Sequence, residues 1–142
     1  MASNNIFIMR TLSSISLAIV FLALNQLTNA LAHDSSLAEP NYSKSYRSCM
    51  DKAEGVTIEM RSCIGRELSI QDNRLNRNYK RYFESVEGHV KKKLRTAQQA
   101  WIQFRNKECE LAGSLEEGKT LEPILIGSCY LDMTARRADE LE

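Results

Sequence analysis

Residues 97–109 of the chain read AQQAWIQFRNKEC, from Ala97 to Cys109. The stretch carries the only tryptophan, Trp101, together with Arg105 and one of four cysteines. With its flanks it has helical periodicity: Val90, Leu94, Ala97, Trp101, Phe104, Glu108 and Leu111 share one stripe. Gln98, Arg105 and Cys109 form the shoulder of that stripe. The spacing predicts a helix over about 90–112, with Trp101 and Phe104 in the core. Arg105 is expected to leave the core edge and meet a carboxylate.

The same reading extends in both directions. Upstream, Ile64, Leu68, Leu75, Tyr79, Tyr82 and Val86 predict a long helix from Thr57 to about Val86. Asp72 falls on this stripe, and a carboxylate on a core face requires a partner. Asn76 follows one turn later, and Arg105 is the expected partner, in a bidentate pair that fixes helix register. A short helix over about 42–52 precedes, separated by Gly55, with Thr57 as N-cap and Gly88 as the C-cap of the long helix. Downstream, Gly113 is expected to end the 90–112 helix. The polar loop GSLEEGK, Gly113 to Lys119, follows. Thr120 is the expected cap of a last helix, with Pro123 tolerated in its first turn. Leu121, Ile124, Leu125, Ser128, Leu131, Ala135 and Ala138 form the apolar face of that helix. No stretch alternates as a strand would. The fold class is therefore all-α, a small antiparallel bundle of about four helices.

The first 32 residues read as a leader rather than as fold. Arg10 precedes the apolar run from Ile15 to Leu24, and small residues close the segment at Ala30-Leu31-Ala32. This describes a cleavable secretory signal over residues 1–32. Met9-Arg10 is an alternative start that would put the charge at the terminus. Residues 33–41 are polar and read as a flexible mature N-terminus, and residues 42–142 as the helical domain. No cysteine near the cleavage site offers a lipid attachment point, so no membrane anchor is expected after cleavage.

Cys49, Cys63, Cys109 and Cys129 are an even set in a chain read as exported, which predicts two disulfides. Three connectivities are open. Cys49–Cys63 and Cys109–Cys129 are favoured because each pair flanks a turn between helices, and each closure stabilises by roughly 3 kcal/mol. No CxxC spacing occurs, which argues against a structural zinc site and a thiol oxidoreductase. No metal or other cofactor is expected.

Arg10 is the only charge in the leader, so residues 33–142 hold 18 basic and 18 acidic residues. No global field selects nucleic acid as a partner. The charges are unevenly placed. Arg74 to Arg95 holds eight basic residues and two acids, and Thr96 to Glu142 holds five basic residues and nine acids. A basic end and an acidic end are expected. No nucleophile stands near a base in any known pattern, and neither His33 nor His89 has an evident partner, so no catalytic residue is assigned.

The spaced motifs are those of a family. Tyr46-x-x-Cys49, Thr57, Met60-x-x-Cys63 and Glu67 lead to Asp72-x-x-Leu75-Asn76-x-x-Tyr79. Leu94-Arg95-x-Ala97-Gln98-x-Ala100-Trp101-x-x-Phe104-Arg105 and Cys109 follow, then Cys129 and Thr134-x-x-Arg137-x-x-Glu140-Leu141. In these the chain resembles the lysozyme inhibitor LprI family, over about Tyr46 to Leu141. The resemblance implies a small exported bacterial domain, periplasmic or secreted. It implies structural roles for Asp72, Asn76, Tyr79, Gln98, Trp101, Arg105 and Arg137, and lysozyme as a partner. Asn106 and the Glu-Glu-Gly-Lys loop depart from the family's usual pattern. C-type lysozymes are basic, so the exposed acids Glu116 and Glu117 are the expected partner-binding residues. The alternative is an envelope interaction or stress module with another protein partner.

Overall fold

The computed structural model describes residues 39–142, and the leader 1–32 and residues 33–38 lie outside the described residues. Four helices follow one another: α1 (Lys44–Ala53), α2 (Thr57–Ser85), α3 (Gly88–Ser114) and α4 (Glu122–Glu140). Among the described residues there is no strand. The chain folds as a small antiparallel α-helical bundle with two disulfides. None of the described helices is long and apolar enough to cross a membrane.

The last helix is the centre of the arrangement. α4 packs against both α2 and α3, α1 packs on α2, and the main chains of α2 and α3 seldom approach. Small residues on α4 make this possible: Thr134, Ala135 and Ala138 are fully buried, so neighbouring helices come close on two sides. One apolar cluster joins Leu75, Leu94, Ala138 and Leu141, with Tyr79, Phe83 and Trp101 packed against it. A second joins Ile64, Ile124 and Leu131 beneath Tyr42, Tyr46, Met50, Met60 and Leu68.

The helix ends differ from the sequence reading in four places. Thr57 begins α2 without capping it; Val56 holds the N-cap position, with no side-chain cap. Thr120 likewise stands outside α4, whose N-cap position is Leu121. Gly88 opens α3 rather than closing α2. Gly113 does not end α3 but lies buried in its last turn, where a Cβ would stand 2.4 Å from Ile126 Cγ1. Only hydrogen fits at this crossing of α3 and α4.

Two buried faces are rotated from the expected stripes. On α2 the hidden residues are Cys63, Ile64, Glu67, Gln71, Leu75 and Asn78, whereas Asp72 is exposed. On α3 the hidden residues are Leu94, Cys109 and Gly113, with Gln98, Trp101 and Arg105 half-buried. The expected shoulder of α3 is thus its packed face. Phe104 is 57 % exposed and Leu111 61 % exposed, so neither is core. A helix that packs mainly on one neighbour leaves its second apolar line bare.

Candidate interaction surface

The seam between α3 and α4 gathers most of the motif residues. Arg105 lies between two rings, its guanidinium carbon 5.0 Å from the Trp101 centroid and 5.2 Å from that of Tyr130. Arg137 covers Trp101 at 5.8 Å. The four side chains form a ladder of alternating cations and rings, an arrangement favoured by the ring quadrupole. Arg105 Nη1 donates to the buried Thr134 hydroxyl at 3.0 Å. Arg137 Nε donates to Gln98 Oε1 at 3.1 Å, and its Nη1 to Glu140 at 2.6 Å. The expected pair of Arg105 with Asp72 does not form. Asp72 faces solvent and accepts from Asn76 Nδ2 at 3.1 Å. The reason is the rotation of α2, which puts α4 rather than Asp72 beside α3. Tyr79 stacks on Phe83 with centroids 5.9 Å apart.

The buried carboxylate of α2 is Glu67, 1 % exposed. Its oxygens accept from the Ser43 main-chain N–H at 2.8 Å, the Ser43 hydroxyl at 2.5 Å and Gln71 Nε2 at 2.7 Å. Burial alone would raise this carboxyl. The bonds from Ser43 and Gln71 outweigh burial and hold it below the usual carboxylate range. Gln71 also donates to the Asn41 carbonyl at 2.9 Å, and Tyr42 donates to Asp132 at 3.1 Å. Burial, then Asp132, pushes the Tyr42 hydroxyl upward. Residues 39–42, of which 39–41 close the segment read as flexible, are thereby tied to α2 and α4. Beside Glu67 lies a cleft of about 280 Å³, lined by Tyr46, Arg66, Ile70 and the Cys49–Cys63 bridge. The Glu67 carboxylate is saturated with donors and serves as an anchor for the start of α1. Its signal in the sequence was the Glu67–Gln71 spacing of one turn, hidden by a search for apolar residues.

The disulfides join Cys49 to Cys63 and Cys109 to Cys129, with Cα–Cα distances of 5.8 and 5.4 Å. The second staples α3 to α4 just below the loop that connects them. That loop is a run of turns. Main-chain bonds link Glu116 to Gly113, Lys119 to Glu116 and Glu122 to Lys119. Gly118 takes φ +74°, a left-handed conformation natural to glycine, and its N–H donates to Glu122 at 2.7 Å. Staple, turns and the close crossing at Gly113 together give a preorganised surface.

Of the two acids singled out on this loop, Glu116 pairs with Lys119 at 2.9 Å. Glu117 is exposed and holds no ion pair among the described residues. Glu108, nearly two turns below the end of α3, is likewise exposed. Leu111, Leu115 and Leu121 in the same stretch of chain are exposed as well, Leu115 by 75 %. The sequence reading found the acids and missed the leucines, having placed Leu111 in the core.

The lysozyme inhibitor LprI family matches residues 49–141. The chain is 28 % identical over 98 residues to the uncharacterized protein R02472 of Rhizobium meliloti (strain 1021), covering 60 % of this chain and 70 % of that one. It is 29 % identical over 131 residues to the uncharacterized protein YecT of Escherichia coli (strain K12), covering 80 % of this chain and 81 % of that one. No solved structure matches.

Proposed function

The chain belongs to the lysozyme inhibitor LprI family, and on that premise we propose that its exported domain binds and inhibits a lysozyme through the α3–α4 loop. The observation that carries the choice of surface is the exposure of Leu111, Leu115 and Leu121 along the end of α3 and the loop to α4, a stretch that also carries the unpaired acids Glu108 and Glu117. Apolar side chains in a rigid loop bind at low ordering cost. A negative rim steers a basic enzyme toward them and supports fast association. Lysozyme works with two carboxylates in a cleft, so a wedge that fills the cleft blocks the substrate without any chemistry of its own. The ladder of Arg105, Trp101, Arg137 and Tyr130 supports the loop from beneath and takes no part in contact.

The test is an inhibition panel against several lysozymes with the disulfides intact. Wild-type protein is expected to inhibit at least one C-type enzyme at micromolar concentration. The double substitution Glu108→Lys and Glu117→Lys is expected to slow association about tenfold and flatten its salt dependence, whereas Leu115→Ser accelerates dissociation. Full activity of every lysozyme at micromolar protein overturns the reading. Salt-insensitive capture of another envelope protein by the same leucines would establish the interaction-module alternative instead.

A further inference from the structure

The other end of α3 carries the opposite charge, and none of the lysines there meets a carboxylate among the described residues. α3 has 27 residues, so its first turn stands about 40 Å from the acidic loop. Its first turn contains no acid, and Lys91, Lys92 and Lys93 follow directly, where the helix dipole is already positive. Arg74 and Arg81 on the neighbouring helix are accounted for: Arg74 pairs with Asp139 and Glu142, and Arg81 donates to Asn78 and the Glu142 main-chain oxygen. The three lysines at the start of α3 have no such carboxylate partners among the described residues. Lys91 and Arg95 both lie over the Phe83 ring, at 5.4 and 5.5 Å, which holds two like charges side by side. Lys92 and Lys93 are exposed and hold no ion pair among the described residues. The nearby acids are Glu84, which meets Lys80 at 3.9 Å, and Glu87, which sits in the N-cap position without a cap bond.

We propose that this α2–α3 corner docks the protein on an anionic phospholipid surface. Successive residues of a helix point about 100° apart, so Lys91, Lys92, Lys93 and Arg95 fan over roughly half its circumference. A fan has no focus for a single phosphate, but it matches a plane of mobile phosphodiester headgroups. The apolar side chains at the corner favour a bilayer over a soluble polyanion. Tyr82, in the last turn of α2, is 43 % exposed, and Val86 after it is half-buried, so this end of the helix pair offers an amphipathic ring as well as cations. Such a ring enters the headgroup layer while the ammonium groups stay at its surface. The inference is independent of the lysozyme reading, since the loop that reading uses lies at the far end of α3.

The experiment is vesicle sedimentation with protein purified from the cell envelope. Vesicles of phosphatidylglycerol and phosphatidylcholine are compared with phosphatidylcholine alone. Binding is expected only to the anionic vesicles, and is lost at about 0.5 M salt. Each cation at such a surface contributes about fivefold, so the triple substitution K91Q/K92Q/K93Q is expected to weaken binding about a hundredfold. That variant relieves like-charge repulsion and loses the contact of Lys91 with Phe83, so its thermal midpoint stays within a few degrees of wild type. Tyr82→Ser weakens the part of binding that survives moderate salt. Three results overturn the proposal: no binding to anionic vesicles at low salt, equal binding of the triple variant, or capture by soluble polyphosphate without capture by vesicles. Leu115→Ser, which changes no charge and lies at the far end of α3, leaves vesicle binding intact, which separates failure here from failure of lysozyme inhibition.

Discussion

Replacing Gly113 with alanine reverses the usual sign of a glycine substitution in a helix. A helical glycine is about 1 kcal/mol worse than alanine, so the exchange ordinarily stabilises. Gly65 supplies the reference: it lies within α2, and a Cβ there meets nothing within 4 Å. Gly65→Ala is expected to raise stability by about 0.5–1 kcal/mol. At Gly113 the new Cβ would lie 2.4 Å from Ile126 Cγ1 and 2.6 Å from its Cδ1. Both atoms belong to one side chain, but Ile126 is β-branched and holds one strongly preferred χ1 in a helix, so Cγ1 retreats only through an unfavourable rotamer or a shift of α4. Overpacking of this kind costs about 1–3 kcal/mol, which the propensity gain offsets in part. Gly113→Ala is therefore expected to lose up to about 2 kcal/mol and to melt several degrees below Gly65→Ala. Ile126→Ala removes both offending atoms, so combining it with Gly113→Ala should be less costly than the two losses added together, by about 1–3 kcal/mol. Urea unfolding followed through Trp101 fluorescence, with the disulfides intact, measures all four variants. Stabilisation by Gly113→Ala equal to that by Gly65→Ala would refute the close crossing, and so would additivity with Ile126→Ala within about 0.5 kcal/mol.

Two further outcomes follow from the polar interior. The Glu67 carboxyl titrates lower in the fold than in the unfolded chain, so its stabilisation is full above about pH 4.3 and is lost as the pH falls through the lower folded value. Glu67→Gln should cost about 1–3 kcal/mol at neutral pH and flatten the acid limb of a stability profile below about pH 5; a limb parallel to wild type would exclude Glu67 as its source. Arg105→Lys keeps the charge but loses the planar stack on Trp101 and Tyr130, so about 1–2 kcal/mol should disappear from the denaturation free energy. The buried Arg105 Nε has no hydrogen-bond partner, which keeps this loss below the sum of two cation–ring interactions. A lysine variant as stable as wild type would reduce the ladder to coincidental packing.

The fold class was legible because helix periodicity and turn residues survive any choice of partner. The phase of each helix was not. Phe104 and Leu111 occupy a perfectly helical apolar line, yet a second line through Gln98, Trp101, Arg105 and Cys109 lies beside it. Only the neighbour decides which line is covered, and α4 presents Thr134 and Ala135, small enough to admit an arginine sandwiched by rings. The same ambiguity misassigned Asp72. A hydrophobic reading follows Leu68 and Leu75, and it passes over Glu67 and Gln71 because buried polar residues resemble solvent-facing ones until their donors are known. Their partners lie well before α2 in the chain: Ser43 donates to Glu67, and the Asn41 carbonyl accepts from Gln71. The exposed leucines around Glu117 were missed for the converse reason: spacing reports a face, and it is silent on whether the face has an occupant.

The two disulfides each join cysteines that are consecutive along the chain, and the helix that completes the bundle comes last. A chain that emerges amino end first, from a ribosome or through an export channel, therefore exposes Cys49 and Cys63 while Cys109 and Cys129 are still behind. Each new thiol meets its native partner as the next to appear, so an oxidant acting in order of emergence yields the correct bridges with no reshuffling step. Until α4 arrives, α2 and α3 have almost nothing to close against. The helix on which both α2 and α3 pack is thus the last to appear, and the bundle can close only once it is present.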